Sequence, residues 1–167
     1  MSAEHKEEPD LIIRPATVDD CAAMVPIMAE MELHYFGEDA IDAPLITERL
    51  AKWFADSQDT VILLALRADD VLGHAVLAPL FPAGSLRTSW FLKDLYVAAK
   101  ARDQGIGELL IKACAAETVR RDGSRFDLTV DAGNDGADAL YRRLGATDTR
   151  KTYLRWDGDN LARLAKS

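Results

Sequence analysis

Between Trp90 and Arg121 the hydrophobic period changes in mid-stretch, and that change constrains the fold more than any other feature of the chain. Phe91, Leu92, Leu95, Tyr96 and Val97 have the aromatic and branched character of a buried strand. Beyond Gly107 the pattern is helical: Ile106, Leu109, Leu110, Ala113 and Cys114 fall at i, i+3, i+4, i+7 and i+8, one apolar face. Arg120 and Arg121 sit where a helix C-terminus favours positive charge, and Gly123 supplies a stop. The junction, Arg102-Asp103-Gln104-Gly105-Ile106-Gly107, opens the helix. A helix start presents unpaired backbone N–H groups and a partial positive charge, and two glycines there leave room for an anion to approach. The junction therefore suggests a phosphate site.

Known phosphate-binding turns narrow the reading. A dinucleotide-binding turn needs a third glycine, and Leu110 occupies that position. A nucleotide P-loop needs Gly-Lys-Ser/Thr, which is absent. R-x-x-G-x-G after a strand remains, alongside the plainer reading of an ordinary glycine-rich turn.

At 167 residues with 49% hydrophobic side chains, the chain suits one globular domain, residues 11–167, after a polar tail at 1–10. A formal charge of -8 argues against nucleic-acid or anionic-membrane partners, which need basic surface. The sequence has no apolar run of membrane-spanning length and no visible signal peptide, so a cytoplasmic protein is expected. Cys21 and Cys114 read as free thiols in helical patterns, and neither they nor the scattered His5, His34 and His74 form a metal site.

In chain order, Leu11 to Arg14 is a short strand. Thr17-Val18-Asp19-Asp20 is a helix cap with an acidic first turn. The helix runs to about Tyr35, burying Met24, Ile27, Met28, Met31 and either Leu33 or Phe36, with Pro26 kinking or interrupting it. An acidic loop, Gly37 to Pro44, precedes a second helix over Leu45–Ala55, with Leu50, Trp53 and Phe54 as its apolar side. Thr60–Arg67 is an uninterrupted apolar run and so a central strand; after a turn at Asp69-Asp70, Val71–Leu80 completes a hairpin. The strand–turn–helix follows. Arg125–Asp131 alternates as a strand, Ala137–Leu144 is a short helix closed by Gly145, Thr152–Trp156 is a last strand, and Asn160–Ala165 a terminal helical turn. The order β-α-α-β-β-β-α-β-α-β is that of a mixed α/β domain.

The order and three separated motifs resemble the GNAT superfamily of acetyl-CoA-dependent N-acetyltransferases, closest to its spermidine/spermine (diamine) branch. The motifs are Ile13-Arg14-Pro15-Ala16-Thr17 with Asp20-Cys21, the Arg102–Gly107 turn, and Asn134 followed by Tyr141-Arg142-Arg143 and Gly145-Ala146-Thr147-Asp148. The resemblance implies the GNAT fold, a mixed central sheet flanked by helices. It implies that the backbone of Leu95, Tyr96 and Val97 pairs with the pantetheine arm of acetyl-CoA. Amides of Asp103, Gln104, Gly105, Ile106, Gly107 and Glu108 would hold the pyrophosphate, with Arg102 and Lys100 adding charge. Asn134, with Ala137 on the same helix, would meet the cofactor arm; Asn134 reads equally well as a turn former or helix cap. Tyr141 would protonate the departing thiolate, a fitting task for a phenol of pKa about 10; from periodicity alone it is a core tyrosine beside Ala137, Leu140 and Leu144. A neutral amine would attack directly in a ternary complex, N–H groups near Leu95–Val97 would stabilise the oxyanion, and a base or water relay would take the amine's proton. The family also pairs its subunits, which implies a homodimer.

The chain departs from the polyamine branch on the acceptor side. Lys93 stands where those enzymes carry a glutamate, and His34-Tyr35 stands where they carry tyrosine–glutamate. A lysine repels a polycation, so the expected acceptor is a smaller or zwitterionic amine, such as an amino acid whose carboxylate meets Lys93. His34, Tyr35, Lys93, Asp94 and Asp131 are the candidate acceptor residues, and Glu30 and Glu32 are further sources of negative charge. Acetylation of a protein N-terminus or lysine, and a non-catalytic acetyl-CoA-binding module, stand as alternatives.

Overall fold

The computed structural model describes residues 9–56 and 59–166. The tail expected at 1–10 therefore lies outside the described residues except for Pro9 and Asp10. The chain divides into two compact units, Met1–Thr129 and Val130–Ser167.

The first unit holds a five-stranded sheet in the order β1 (Leu11–Pro15), β2 (Val61–Arg67), β3 (Asp70–Leu80), β4 (Ser89–Val97), β5 (Phe126–Leu128). The first four strands pair antiparallel and β5 joins β4 in parallel. A parallel neighbour requires a crossover, and α3 (Ile106–Arg120) supplies it. Two helices precede the hairpin, α1 (Cys21–Phe36) and α2 (Ala43–Asp56).

Side-chain alternation sorts the core into two layers. Ile62, Leu64 and Leu66 of β2 and Tyr96 of β4 pack with Met24, Ile27 and Met28 of α1 and Ile46 and Leu50 of α2. The opposite face carries α3. Gly73 of β3 lies so close to it that an added Cβ would meet Leu110 Cδ1 at 3.1 Å and Ile106 Cγ2 at 3.3 Å. Gly123 is equally constrained, since a Cβ there would stand 2.6 Å from Trp90 Cδ1.

The entry into α1 is tied down by charge. Thr17 and Asp20 form a capping box, and the Arg14 guanidinium grips both Asp20 oxygens at 2.7 and 2.8 Å. These bonds hold the Asp20 carboxyl well below the usual range. The first turn, Val18–Asp20, is 3₁₀, so the α-helix starts three residues later than the sequence pattern suggests. α1 runs unbroken through Pro26, and Leu33 and Phe36 are exposed rather than buried.

Other differences have local causes. The hairpin turn falls one residue early, at Ala68-Asp69, with Ala68 at φ +53 and Arg67 opposite Asp70. The strand expected over Arg125–Asp131 shrinks to Phe126–Leu128, because only those residues match Trp90–Leu92 of β4. Leu109 is exposed while Ile111, Glu117 and Thr118 are buried, so the covered stripe of α3 is rotated from the purely apolar one.

Glu117 remains buried on α3 because Arg120 clasps it at 2.7 and 2.8 Å and Arg121 at 2.6 Å. The Arg120 bonds above all, with those of Arg121, hold its carboxyl at about 2, against 4.5 ordinarily, overcoming the opposing effect of burial. The unfolded chain therefore takes up this proton first as pH falls. The pairing stabilises the fold fully above about pH 4.5 and loses its effect as pH drops toward 2. Glu117→Gln is expected to cost about 1–3 kcal/mol at pH 7. The gap from wild type should narrow steadily in urea titrations run from pH 5 to pH 3.

In the second unit, α4 (Asp135–Arg143) follows Asn134, and α5 (Gly158–Leu164) lies near the C-terminus. The strand expected over Thr152–Trp156 does not form. A strand exists only by pairing, and among its described residues this unit contains no other strand. Tyr153, Leu154 and Trp156 are exposed.

Candidate active site

β4 changes partners half-way along. β5 accompanies it only at Trp90, Phe91 and Leu92, so Asp94 to Val97 keep β3 as their one strand neighbour among the described residues. The register against β3 also slips: Leu92 faces Leu77, Asp94 faces Val76, and Lys93 is the extra residue between them. This bulge leaves Lys93 exposed and places Asp94 on the face that carries α1, in line with Tyr96 and His74.

β4 leads through a 3₁₀ turn, Ala99–Ala101, into the glycine-containing junction. Asp103 at φ +61 and Gly105 at φ +76 both adopt the left-handed conformation that turns the chain into α3. Gly105 caps the helix without a side chain, and nothing stands within 4 Å of where its Cβ would be. The first bond of the ladder runs from Leu109 N–H to Gly105 C=O at 3.1 Å, so the amides of Ile106 and Gly107 lie ahead of it. An open, uncapped helix start with a glycine at its lip fits a diphosphate. The Arg102 side chain folds back onto the strand: Nε donates to Val97 C=O at 3.2 Å and Nη2 to Tyr96 Oη at 3.4 Å, with the guanidinium over the Tyr96 ring. Lys100 pairs with Asp70. Gln104 bonds Lys100 C=O, and Glu108 pairs with Lys112.

Of the candidate acceptor residues, the structure gathers His34, Tyr35 and Asp94 around Tyr96. The rings of His34 and Tyr35 lie 5.9 and 6.4 Å from that of Tyr96. Asp131 is exposed and belongs to the second unit. Two further residues join them: Glu30, which the sequence offers only as a source of negative charge, and His74, which it leaves without a role. The Glu30 carboxylate accepts from Tyr96 Oη at 3.0 Å and from Ala99 N–H at 2.7 Å, linking α1 to the 3₁₀ turn that leads into the glycine-containing junction. Burial, and then the Glu30 bond and charge, push the Tyr96 phenol up. His74 is fully buried and stacks on Tyr96 at 6.2 Å. Its one sequence signal is a polar residue within the apolar run Val71–Leu77.

Asn134 caps α4, its Oδ1 accepting from Ala137 N–H at 3.2 Å. Tyr141 is buried on that helix. Burial pushes the Cys114 thiol up to about 12, which leaves it a poor nucleophile.

The model of the acetyltransferase (GNAT) family matches residues 25–146, and the chain belongs to that family, whose members use acetyl-CoA as co-substrate. It is an N-acetyltransferase by class. It is 26% identical to the uncharacterized N-acetyltransferase YhfO of Bacillus subtilis (strain 168) over 133 residues, 80% of this chain and 87% of that one. A thialysine N-epsilon-acetyltransferase of Sus scrofa is 27% identical, over 93% of this chain and 97% of that one. Among solved structures, an integron cassette protein from the mobile metagenome of V. cholerae, VCH_CASS6, superposes with a TM-score of 0.87 at 33% identity, covering 94% of this chain and 98% of the other.

Proposed function

We propose that the chain acetylates the side-chain amine of a small, amino-acid-like acceptor in a ternary complex with acetyl-CoA. The supporting observation is the pairing of an open β4 edge and an uncapped α3 start with an acceptor-side group of acids and rings, Asp94, Glu30, His34, Tyr35 and Tyr96. Acetyl-CoA supplies the activated acetyl thioester. In this reading the free β4 edge at Leu95–Val97 receives the pantetheine arm as an added strand, and the Asp103–Glu108 amides receive the diphosphate. Asn134 and Ala137 contribute to the cofactor side. Asp94 takes the ammonium proton of the acceptor. Tyr141 donates a proton to the leaving sulfur. The Sus scrofa relative's acceptor, thialysine, has the required chemistry, a carboxylate and a side-chain primary amine. A single catalytic domain over residues 11–167, a homodimer and a cytoplasmic location belong to the same proposal.

The test is thiol release from acetyl-CoA with thialysine, ornithine, spermidine and an N-terminal peptide as acceptors. Turnover on the amino acids is the expected result. Turnover confined to spermidine or to the peptide would overturn the acceptor assignment, and none at all would favour a binding module.

Asp103→Gly tests the diphosphate cradle. The substitution relieves a left-handed non-glycine residue and removes a negative charge beside the proposed anion site. The KM for acetyl-CoA is expected to fall about threefold to tenfold with kcat unchanged; a rise would place the diphosphate elsewhere.

A further inference from the structure

We infer that His74 is a positioning residue for Asp94, an inference that rests on the acetyl transfer proposed above. The imidazole is fully buried in the sheet, and neither ring nitrogen has a hydrogen-bond partner among the described residues. Leaving a buried polar group unpaired costs stability, which an apolar side chain in the same place would avoid. The nearest acid is Asp94, whose Oδ2 stands 3.5 Å from His74 Nε2. That gap is a few tenths of an ångström beyond hydrogen-bond length.

The sheet builds this pair. His74 lies opposite Tyr96 and Val76 opposite Asp94, so the two side chains share one face on neighbouring strands. The bulge at Lys93 sets that parity, since without the extra residue Asp94 would fall on the α3 face. Stacking on Tyr96, with planes 29° apart, fixes the plane of the imidazole. Tyr96 is itself held by Glu30 from α1 and Arg102 from the turn. β2 offers only Leu64 opposite His74.

His74 donates Nε2–H to Asp94 Oδ2 once an acceptor draws the carboxylate in. This fixes the carboxylate plane and leaves Oδ1 to take one proton from the acceptor's ammonium. The products of that step are the free amine and protonated Asp94, and His74 keeps its own proton. Asp94, whose side chain is 28% exposed, afterwards returns the proton to solvent.

The two possible roles of His74 rank two substitutions in opposite orders. His74→Phe preserves the stacked ring and removes the donor; His74→Gln keeps a donor and packs worse. A positioning role predicts that His74→Phe loses about tenfold to a hundredfold in kcat, with acetyl-CoA KM within twofold of wild type and a melting temperature no lower than wild type. His74→Gln should be the more active despite melting lower. In an Asp94→Asn background, His74→Phe should cost less than twofold further. The assay uses the full chain with the best acceptor among thialysine, ornithine and spermidine. His74→Phe as active as wild type or more active than His74→Gln, or a full further loss in the Asp94→Asn background, overturns the inference while leaving acetyl transfer intact. A wild-type chain that turns over none of these amines overturns the reading beneath it and this inference together.

Discussion

Tyr141→Phe is expected to lower kcat by about 10²–10³ while the KM for acetyl-CoA changes less than threefold. A thiolate leaves more readily when a proton reaches it as the carbon–sulfur bond breaks, and a phenol is a suitable donor near neutral pH. Phenylalanine keeps the ring, and Tyr141 is a buried side chain, so the substitution removes little besides the hydroxyl. The melting temperature, measured alongside, separates loss of a proton donor from loss of fold. Two kinetic signatures distinguish the acid role from general damage. The deficit should shrink with a thioester of lower leaving-group pKa, which needs less help, and the alkaline limb of kcat should vanish with the hydroxyl. A Tyr141→Phe enzyme within twofold of wild type on every acceptor would return Tyr141 to the core-packing role that its periodicity alone suggests.

The parts of the fold visible in the sequence are those where one residue type answers one local demand. Gly105 was readable because φ +76 at a helix start excludes most other residues. β2 was readable because both its faces are covered, one by α1 and α2 and the other by α3, so the run Val61–Leu66 needs no polar residue. Asn134 was readable as a cap, since its carbonyl oxygen accepts from the third residue on.

What the sequence concealed depends on pairing. The Lys93 bulge is a property of two strands together, and it decides that Asp94, rather than Lys93, turns toward α1. His74 and Glu30 gained significance only when the sheet and α1 brought both against Tyr96. Thr152–Trp156 has the aromatic and β-branched composition of a strand, yet composition supplies no partner ladder. The polar members of the α3 stripe were hidden for another reason: Glu117 is compensated by two arginines and Thr118 by the Cys114 carbonyl at 2.9 Å, so neither needs water.

Leu110→Ala should destabilise the fold by about 3–4 kcal/mol, and its neighbour Leu109→Ala by less than about 1 kcal/mol. Both leucines lie on the apolar stripe that the sequence pattern assigns to α3, but only Leu110 is fully buried; Leu109 is 42% exposed. The Leu110 Cδ1 reaches within 3.1 Å of where a Cβ on Gly73 would stand, so helix and sheet meet there with no side chain on the strand between them. Removing it opens a cavity that β3 cannot fill, because Gly73 has no side chain to move into it. The helix that loses this anchor begins four residues earlier, at the amides proposed to hold the diphosphate. Leu110→Ala should therefore also raise the KM for acetyl-CoA, whereas Leu109→Ala should leave it unchanged. Urea unfolding of the two variants gives the stability difference, and acetyl-CoA titration at a temperature where both remain folded gives the effect on the cradle. Equal losses from the two variants would mean that the buried stripe of α3 follows the sequence pattern after all, and that the packing of α3 on Gly73 is wrong.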